Sequence, residues 1–121
     1  MLVRSTKNAC GYDVASKETY TLSPGERKKF STGIYLNIPD NYWGLIKSRS
    51  SLAIAGIDVC GGVIDSDYKG EVIVILHNFS QKDYLIAEGS RIAQIIFQKY
   101  CTPVFFNTDT ERTGGFGSTG I

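Results

Sequence analysis

Gly62-Val63-Ile64-Asp65-Ser66-Asp67-Tyr68-Lys69-Gly70-Glu71 is the stretch on which the fold turns. Gly61 stands before it. Upstream lies an apolar run with Ile57 and Val59, and downstream a denser one from Val72 to Leu76. The reading is strand, tight turn, strand: a β-hairpin whose tip carries charge. Asp, Gly and Ser also suit an ordinary solvated turn. Two details favour chemistry. Asp65 directly follows the β-branched Ile64, which predicts a partly desolvated carboxylate suited to act as a general base. Tyr68, three residues on, offers a flat face on which a ring can rest.

Outward from this turn, short apolar segments recur between breakers. Ile34, Leu36 and Ile38 alternate with polar or aromatic neighbours until Pro39-Asp40-Asn41. Trp43 to Ile46, Ile57 to Val59, Val72 to Leu76, Tyr84 to Ile86 and Ile92 to Phe97 follow. Ser23-Pro24-Gly25, Gly61-Gly62 and Glu88-Gly89 mark turns. No long window has a helical period. This pattern predicts an all-β sandwich or barrel. There is no internal repeat, and 121 residues suffice for one core.

Charge excludes some functions. Thirteen Lys and Arg face twelve Asp and Glu, so no bulk attraction to nucleic acid or an anionic membrane is expected. No apolar stretch nears the roughly 18 residues of a membrane span. Met1 to Asn8 is polar, unlike a signal peptide, so the expected location is intracellular, cytoplasmic or nuclear. Cys10, Cys60 and Cys101 are widely spaced, and His77 is the sole histidine. They make no zinc set and are read as incidental thiols in a reducing compartment. His77 is read as a strand-end residue, which leaves a Ser-His-Asp or Cys-His mechanism without its base.

Four other segments carry candidate chemistry. Ala9-Cys10-Gly11-Tyr12-Asp13-Val14 reads as a strand start, or as placing Asp13 on a bound cation through water. In Gly44 to Ala53, Ser50 or Ser51 is expected to cap a helical turn of Leu52 to Ala55 that ends at Gly56. Hydroxyls, free N–H groups and Arg49 at one spot describe a phosphate cradle, or an ordinary capped turn with a surface arginine. In Gly89-Ser90-Arg91-Ile92-Ala93-Gln94, residues three apart in an extended strand face opposite sides. Gln94 is therefore assigned to phosphate, and Arg91 to a structural pair with an acid.

Past Pro103 the composition changes. Asn107 to Ile121 holds Gly114, Gly115, Gly117 and Gly120 among Arg112, Ser118 and Thr119, with Phe116 and Ile121 the large apolar residues. Such a segment cannot fold alone. It reads as a disordered tail or as an arm that orders over an anionic ligand, with Arg112 on phosphate and Phe116 on a base. No lysine follows the glycines, so it is not a P-loop.

Taken together and in this order, the five segments resemble the trimeric dUTPase family from Ala9 to Gly120, most specifically in Gly62-Val63-Ile64-Asp65 and Gly115-Phe116-Gly117-Ser118-Thr119-Gly120. The resemblance implies a distorted jelly-roll β-barrel over residues 1–106, with 107–121 as a glycine-rich arm closing an active site. It implies a homotrimer with sites shared among three chains, binding dUTP and dUMP and neither nucleic acid nor membrane. Asp65 would activate water for in-line attack on the α-phosphorus, giving dUMP and pyrophosphate. That reaction removes dUTP from the nucleotide pool and supplies dUMP for dTMP synthesis. Arg49, Ser50, Ser51 and Gln94 would hold phosphates. Gly62, Val63, Ile64, Asp65, Tyr68 and the backbone near Ile73 would hold uracil and sugar. Arg112, Phe116, Gly117, Ser118 and Thr119 would close from the arm. Mg2+ would ride on the triphosphate, with Asp13 in its outer shell.

The chain also departs from the family's pattern. Ser90 stands where Asp is usual, Lys69 where Arg is common and Val14 where Leu is usual. Two residues, one fewer than usual, separate Arg112 from Gly115, and the N-terminal extension is almost absent. Two other readings stay open: a deaminase of the same fold, for which Glu71 is the nearby proton shuttle, and a non-catalytic regulatory module.

Overall fold

The chain runs β1 (Tyr12–Ala15), β2 (Tyr20–Leu22), β3 (Arg27–Tyr35), β4 (Tyr42–Lys47), α1 (Ser50–Ile54), β5 (Ile57–Cys60), β6 (Val63–Ile64), β7 (Glu71–Asn78), β8 (Tyr84–Ile86) and β9 (Arg91–Lys99). The structure, a computed structural model, describes residues 2–105. The expected arm residues Arg112, Phe116, Gly117, Ser118 and Thr119 lie outside the described residues.

Alternation builds the core. Along β7, Val72, Val74, Leu76 and Asn78 are buried, while Glu71, Ile73, Ile75 and His77 are half-buried on the other face. Every strand pairing is antiparallel. One sheet has the order β1-β9-β4-β6, a second β3-β7-β5 and a third β2-β8. Phe30, Leu22, Ile57, Leu76, Ile86, Ile92 and Ile95 are fully buried. Each such side chain contributes about 1.5–3 kcal/mol of burial. Asn78 is buried without penalty, because its Nδ2 donates to the carbonyls of Leu22 (2.9 Å) and Lys82 (2.8 Å) and its Oδ1 accepts from the Ser80 amide (2.9 Å) and hydroxyl (2.7 Å). This mostly-β architecture, with one short helix among the described residues, is the class that alternation predicts.

Three local expectations differ from the structure. The strand expected over Ile34 to Ile38 lies earlier, at Arg27–Tyr35. Its basic start, Arg27-Lys28-Lys29, hides it from an apolar reading, yet those residues pair with His77, Leu76 and Ile75. Neither Ser50 nor Ser51 caps the helix. Arg49 occupies the cap in an extended conformation, with no side-chain cap bond, and the serines fall within the first turn. Gly56 does follow the helix at φ 89°, its amide bonding the Ala53 carbonyl at 3.0 Å.

The hairpin is also altered. Its two arms pair as expected, from Ile57 opposite Asn78 to Cys60 opposite Ile75. The connection is no tight turn. After Cys60 the chain leaves this sheet, and β6 joins β4 in another, Val63 opposite Leu45 and Ile64 opposite Gly44. Gly62 makes the crossing, with φ 104° and its carbonyl accepting the Ile46 amide at 2.7 Å. A Cβ there would lie 2.7 Å from the Ile46 carbonyl oxygen, so the approach requires glycine.

Candidate active site

Two groups of residues carry the candidate chemistry, the first beside two cavities that share Val63 and the second around a third cavity. The first is built on β6. That strand lies at the edge of its sheet, with β4 on one side only, so its other edge presents main-chain N–H and C=O groups that no strand among the described residues pairs with. Beside it is a cavity of about 200 Å3 lined by Ile46, Gly62, Val63, Ile64, Tyr68, Ile73 and Ile75. The expected base-reading residues Gly62, Val63, Ile64, Tyr68 and Ile73 are thus brought together. Val63 also lines a cavity of about 500 Å3, together with Trp43, Asp65, Ser66, Asp67 and Tyr100. Asp65 stands there, at the end of β6.

Asp65 differs from expectation in one respect. It is exposed, because the turn at Ser66-Asp67 carries the carboxylate out past the buried Ile64. The neighbouring apolar side chain points inward and does not cover it. Within this chain the turn is closed by the Tyr68 amide, which donates to the Asp65 carbonyl at 3.1 Å.

The second group surrounds Asp13. Asp13 lies opposite Gln94 in the β1–β9 register, so their side chains share a face. A cavity of about 340 Å3 is lined by Ser5, Asp13, Arg49, Ser50, Ser51 and Gln94. Arg49 Nε is 3.8 Å from Asp13 Oδ1, and Arg91 Nη1 is 3.3 Å from Asp13 Oδ2. Arg49 Nη1 also donates to the Arg91 carbonyl at 3.2 Å, and Gln94 Nε2 to the Ser48 carbonyl at 3.2 Å. The Arg49 guanidinium, the Ser50 and Ser51 hydroxyls in the first turn of α1 and the Gln94 amide line this recess beside Asp13, a polar set of donors suited to phosphate.

Arg91 pairs with an acid, as expected, but it does not face away from Gln94. The register steps from Val14–Ala93 to Ala15–Arg91, leaving Ile92 as an extra residue. Ile92 and Ala93 are both buried in succession. This β-bulge resets the alternation and returns Arg91 and Gln94 to the same face.

Asp13 bears on the metal question. Among the described residues, no group of three or more His, Cys, Asp or Glu is placed to hold a metal ion. Both Asp13 oxygens face guanidiniums, and its side chain is 10% exposed. This donor set fits an ion that arrives on a polyphosphate and meets Asp13 through water; it does not fit a resident ion in a protein cage.

Glu71 is accounted for elsewhere. Its carboxylate accepts from the Ser31 hydroxyl and from the amides of Gly33 (2.8 Å) and Thr32 (3.2 Å). Those donors, the Ser31 hydroxyl first, hold it below the ordinary glutamate value. A carboxylate tied to β3 in this way does not line the cavities as a proton shuttle. His77 Nδ1 accepts from Arg27 Nε at 3.3 Å and its ring packs on Phe79, apart from either cavity.

Sequence reading missed Ser5, Trp43 and Tyr100 as lining residues, and Ser66 and Asp67 as more than turn formers. Ser5 sits in a polar start with no periodic signal. Trp43 and Tyr100 come together because β4 runs antiparallel to β9, a pairing that no local motif announces.

Comparison with known proteins places these features in a family. The dUTPase family model matches residues 1–120. The deoxyuridine 5'-triphosphate nucleotidohydrolase of Paramecium bursaria Chlorella virus 1 is 46% identical over 125 residues, covering 98% of this chain and 89% of the relative. That of Vaccinia virus (strain Copenhagen) is 42% identical over 123 residues, covering 98% and 84%. Among solved structures, a mutant dUTPase from phage phi11 of S. aureus superimposes with a TM-score of 0.84 at 26% identity, over 90% of this chain and 89% of that one. It is described as showing the coordination of a structural Mg(II) ion. A mutant dUTPase of Staphylococcus bacteriophage 80alpha with dUpNHpp gives a TM-score of 0.81 at 26% identity, over 100% and 92%. The matched segments include the edge strand with its aspartate and the arginine-serine recess, and the chain belongs to the dUTPase family.

Proposed function

We infer that this chain hydrolyses dUTP to dUMP and pyrophosphate with magnesium, removing dUTP from the nucleotide pool. One observation carries the reading beyond family membership: Asp65 stands directly after an edge strand that borders a cavity of about 200 Å3 and whose outer main-chain groups pair with no strand among the described residues. A pyrimidine ring in that cavity is read by N–H and C=O groups. Uracil complements them, whereas cytosine opposes like groups at a cost on the order of 1–3 kcal/mol each. Thymine's methyl meets the closely packed strand, and Tyr68 lies under the sugar.

Asp65 acts as general base. Its carboxylate takes a proton from a water as that oxygen bonds the α-phosphorus in line. The bond from the α-phosphorus to the bridging oxygen breaks, and pyrophosphate leaves. Arg49, Ser50, Ser51 and Gln94 orient the phosphates. Asp13 would hold magnesium through water, and the ion would supply charge neutralisation to the triphosphate. Arg112, Ser118 and Thr119 neutralise the outer phosphates from the arm, Gly117 lets its backbone approach, and Phe116 stacks on the base for roughly 1–3 kcal/mol.

Among the described residues, the phosphate recess shares no lining residue with the Asp65 cavity or with the cavity beside β6. This supports assembly as a homotrimer in which Asp65 of one copy faces Arg49 of another and a third supplies the arm. Pyrophosphate release compared across dUTP, dTTP, dCTP and UTP tests the function. The expected result is turnover of dUTP well above the rest, with Asp65→Asn slower by roughly 10²–10⁴. Ammonia release from dCTP establishes a deaminase instead, and an inert preparation with magnesium and dUTP a binding module.

A further inference from the structure

The reading of Tyr68 as the floor beneath the sugar leaves open what holds that ring in place. Tyr68 is 44% exposed, so core packing does not fix it. Two contacts do. Its hydroxyl donates to the Glu71 carbonyl at 2.6 Å. The ring tip also rests on Gly70: a Cβ at that position would lie 2.7 Å from the Tyr68 hydroxyl oxygen and 2.8 Å from Cζ. No side chain fits between them.

The anchor itself is rigid. Glu71 begins β7, and its carboxylate gathers the Ser31 hydroxyl and the Thr32 and Gly33 amides of β3. The register of β3 against β7 jumps there, from Ser31–Ile73 to Tyr35–Glu71. Glu71 therefore satisfies the amides that this irregularity leaves without a ladder partner. The carbonyl that receives the tyrosine hydroxyl is thereby tied to a two-stranded framework, not to the loop.

We propose that Gly70 and Glu71 form a seat that locks the Tyr68 ring, and that this seat sets the preference for deoxyribose over ribose. Both are positioning residues and neither touches substrate. The proposal rests on the reading of Tyr68 as the sugar floor. A fixed ring excludes a 2′-hydroxyl because it cannot yield; an untethered ring can swing aside and admit it. Gly70→Ala pushes the tip off its seat and breaks the hydroxyl bond. Tyr68→Phe keeps the ring but removes the tether.

The test is the ratio of kcat/KM for dUTP to that for UTP, measured by pyrophosphate release in the wild type, Tyr68→Ala, Tyr68→Phe and Gly70→Ala. The ratio should fall by about tenfold or more in all three variants. In Gly70→Ala the fall should come from improved UTP turnover, with kcat for dUTP retained, a split that general destabilisation does not produce. If Tyr68→Ala leaves the ratio unchanged, the sugar-floor reading fails, and the proposal with it. If Tyr68→Ala relaxes the preference while Tyr68→Phe or a folded Gly70→Ala keeps it, the floor stands and the seat is overturned. Tyr68→Phe introduces no steric change, so it carries the test should Gly70→Ala not fold.

Discussion

Mixing two crippled chains should restore activity, and the amount restored follows from how the two halves of the site are distributed. Arg49 lines one cavity and Asp65 another, with no shared lining residue. If a complete site takes Arg49 from one copy and Asp65 from its neighbour, Arg49→Ala and Asp65→Asn can complement. In co-refolded mixtures a site is whole when the phosphate-side copy carries Asp65→Asn and the base-side copy carries Arg49→Ala. For a fraction f of one variant, that occurs with probability f(1 − f). The maximum, about one quarter of wild-type activity, falls at the equimolar mixture. Asp65→Asn alone retains roughly 10⁻² to 10⁻⁴ of the rate. The recovered signal therefore stands about 25-fold or more above that parent. Pyrophosphate release from dUTP, assayed across mixing ratios, gives the curve. No recovery at any ratio, in mixtures shown to form mixed assemblies, means that Arg49 and Asp65 serve the same site from one chain, and the shared-site arrangement is wrong.

Further expectations rest on single contacts. Asp13→Asn removes the carboxylate between Arg49 and Arg91; those side chains are 32% and 49% exposed, so the loss should be about 1–3 kcal/mol, short of the fully buried case. Urea unfolding measures it, and an unchanged midpoint removes Asp13 as a structural pivot. Gly62→Ala places a side chain at φ 104° and 2.7 Å from the Ile46 carbonyl. About 1–3 kcal/mol of strain is expected, with a raised KM for dUTP as β6 shifts; a normal KM would separate β6 from base recognition. Glu71 has a depressed folded-state value, set first by the Ser31 hydroxyl and then by the Gly33 amide. Its contribution is therefore present above the ordinary glutamate range and lost as pH falls through that range and below it. Melting temperature followed from pH 7 to 3 should drop on the acid side, and Glu71→Gln should be less stable at pH 7 with a shallower acid drop. An equally steep drop in the variant assigns acid sensitivity to other groups, Glu18 and Glu26 among them, which are depressed in the same direction.

Much of the fold was legible because it is written in local alternation. Val72 to Leu76 and Ile92 to Phe97 announce the strands at Glu71–Asn78 and Arg91–Lys99. Arg27–Tyr35 was misplaced because it opens on Arg27-Lys28-Lys29, whose long stems cover the sheet without reading as apolar. The cap at α1 was misassigned because two adjacent serines offer the same hydroxyl, and only the backbone at Arg49 shows where the helix begins. In the site, Arg91 was assigned to an acid without saying which, and only the β1–β9 pairing shows that the acid is Asp13. The face shared by Arg91 and Gln94 was not legible: one extra residue, Ile92, inverts the parity of everything after it.

By itself the sequence determined that this is a β protein with near-balanced charge, a turn bearing Asp65 and Tyr68, and an arginine-serine segment before a glycine stop. Those properties depend on residues a few positions apart, whose steric and hydrogen-bonding preferences act at short range. Tertiary structure alone decided that Gly62 diverts the hairpin tip onto β4, that Asp65 stands exposed beside an unpaired edge, and that the phosphate recess opens elsewhere on the chain. Each of these is a choice of partner strand and register. The energy of such a choice comes from groups distant in sequence, so no local pattern contains it.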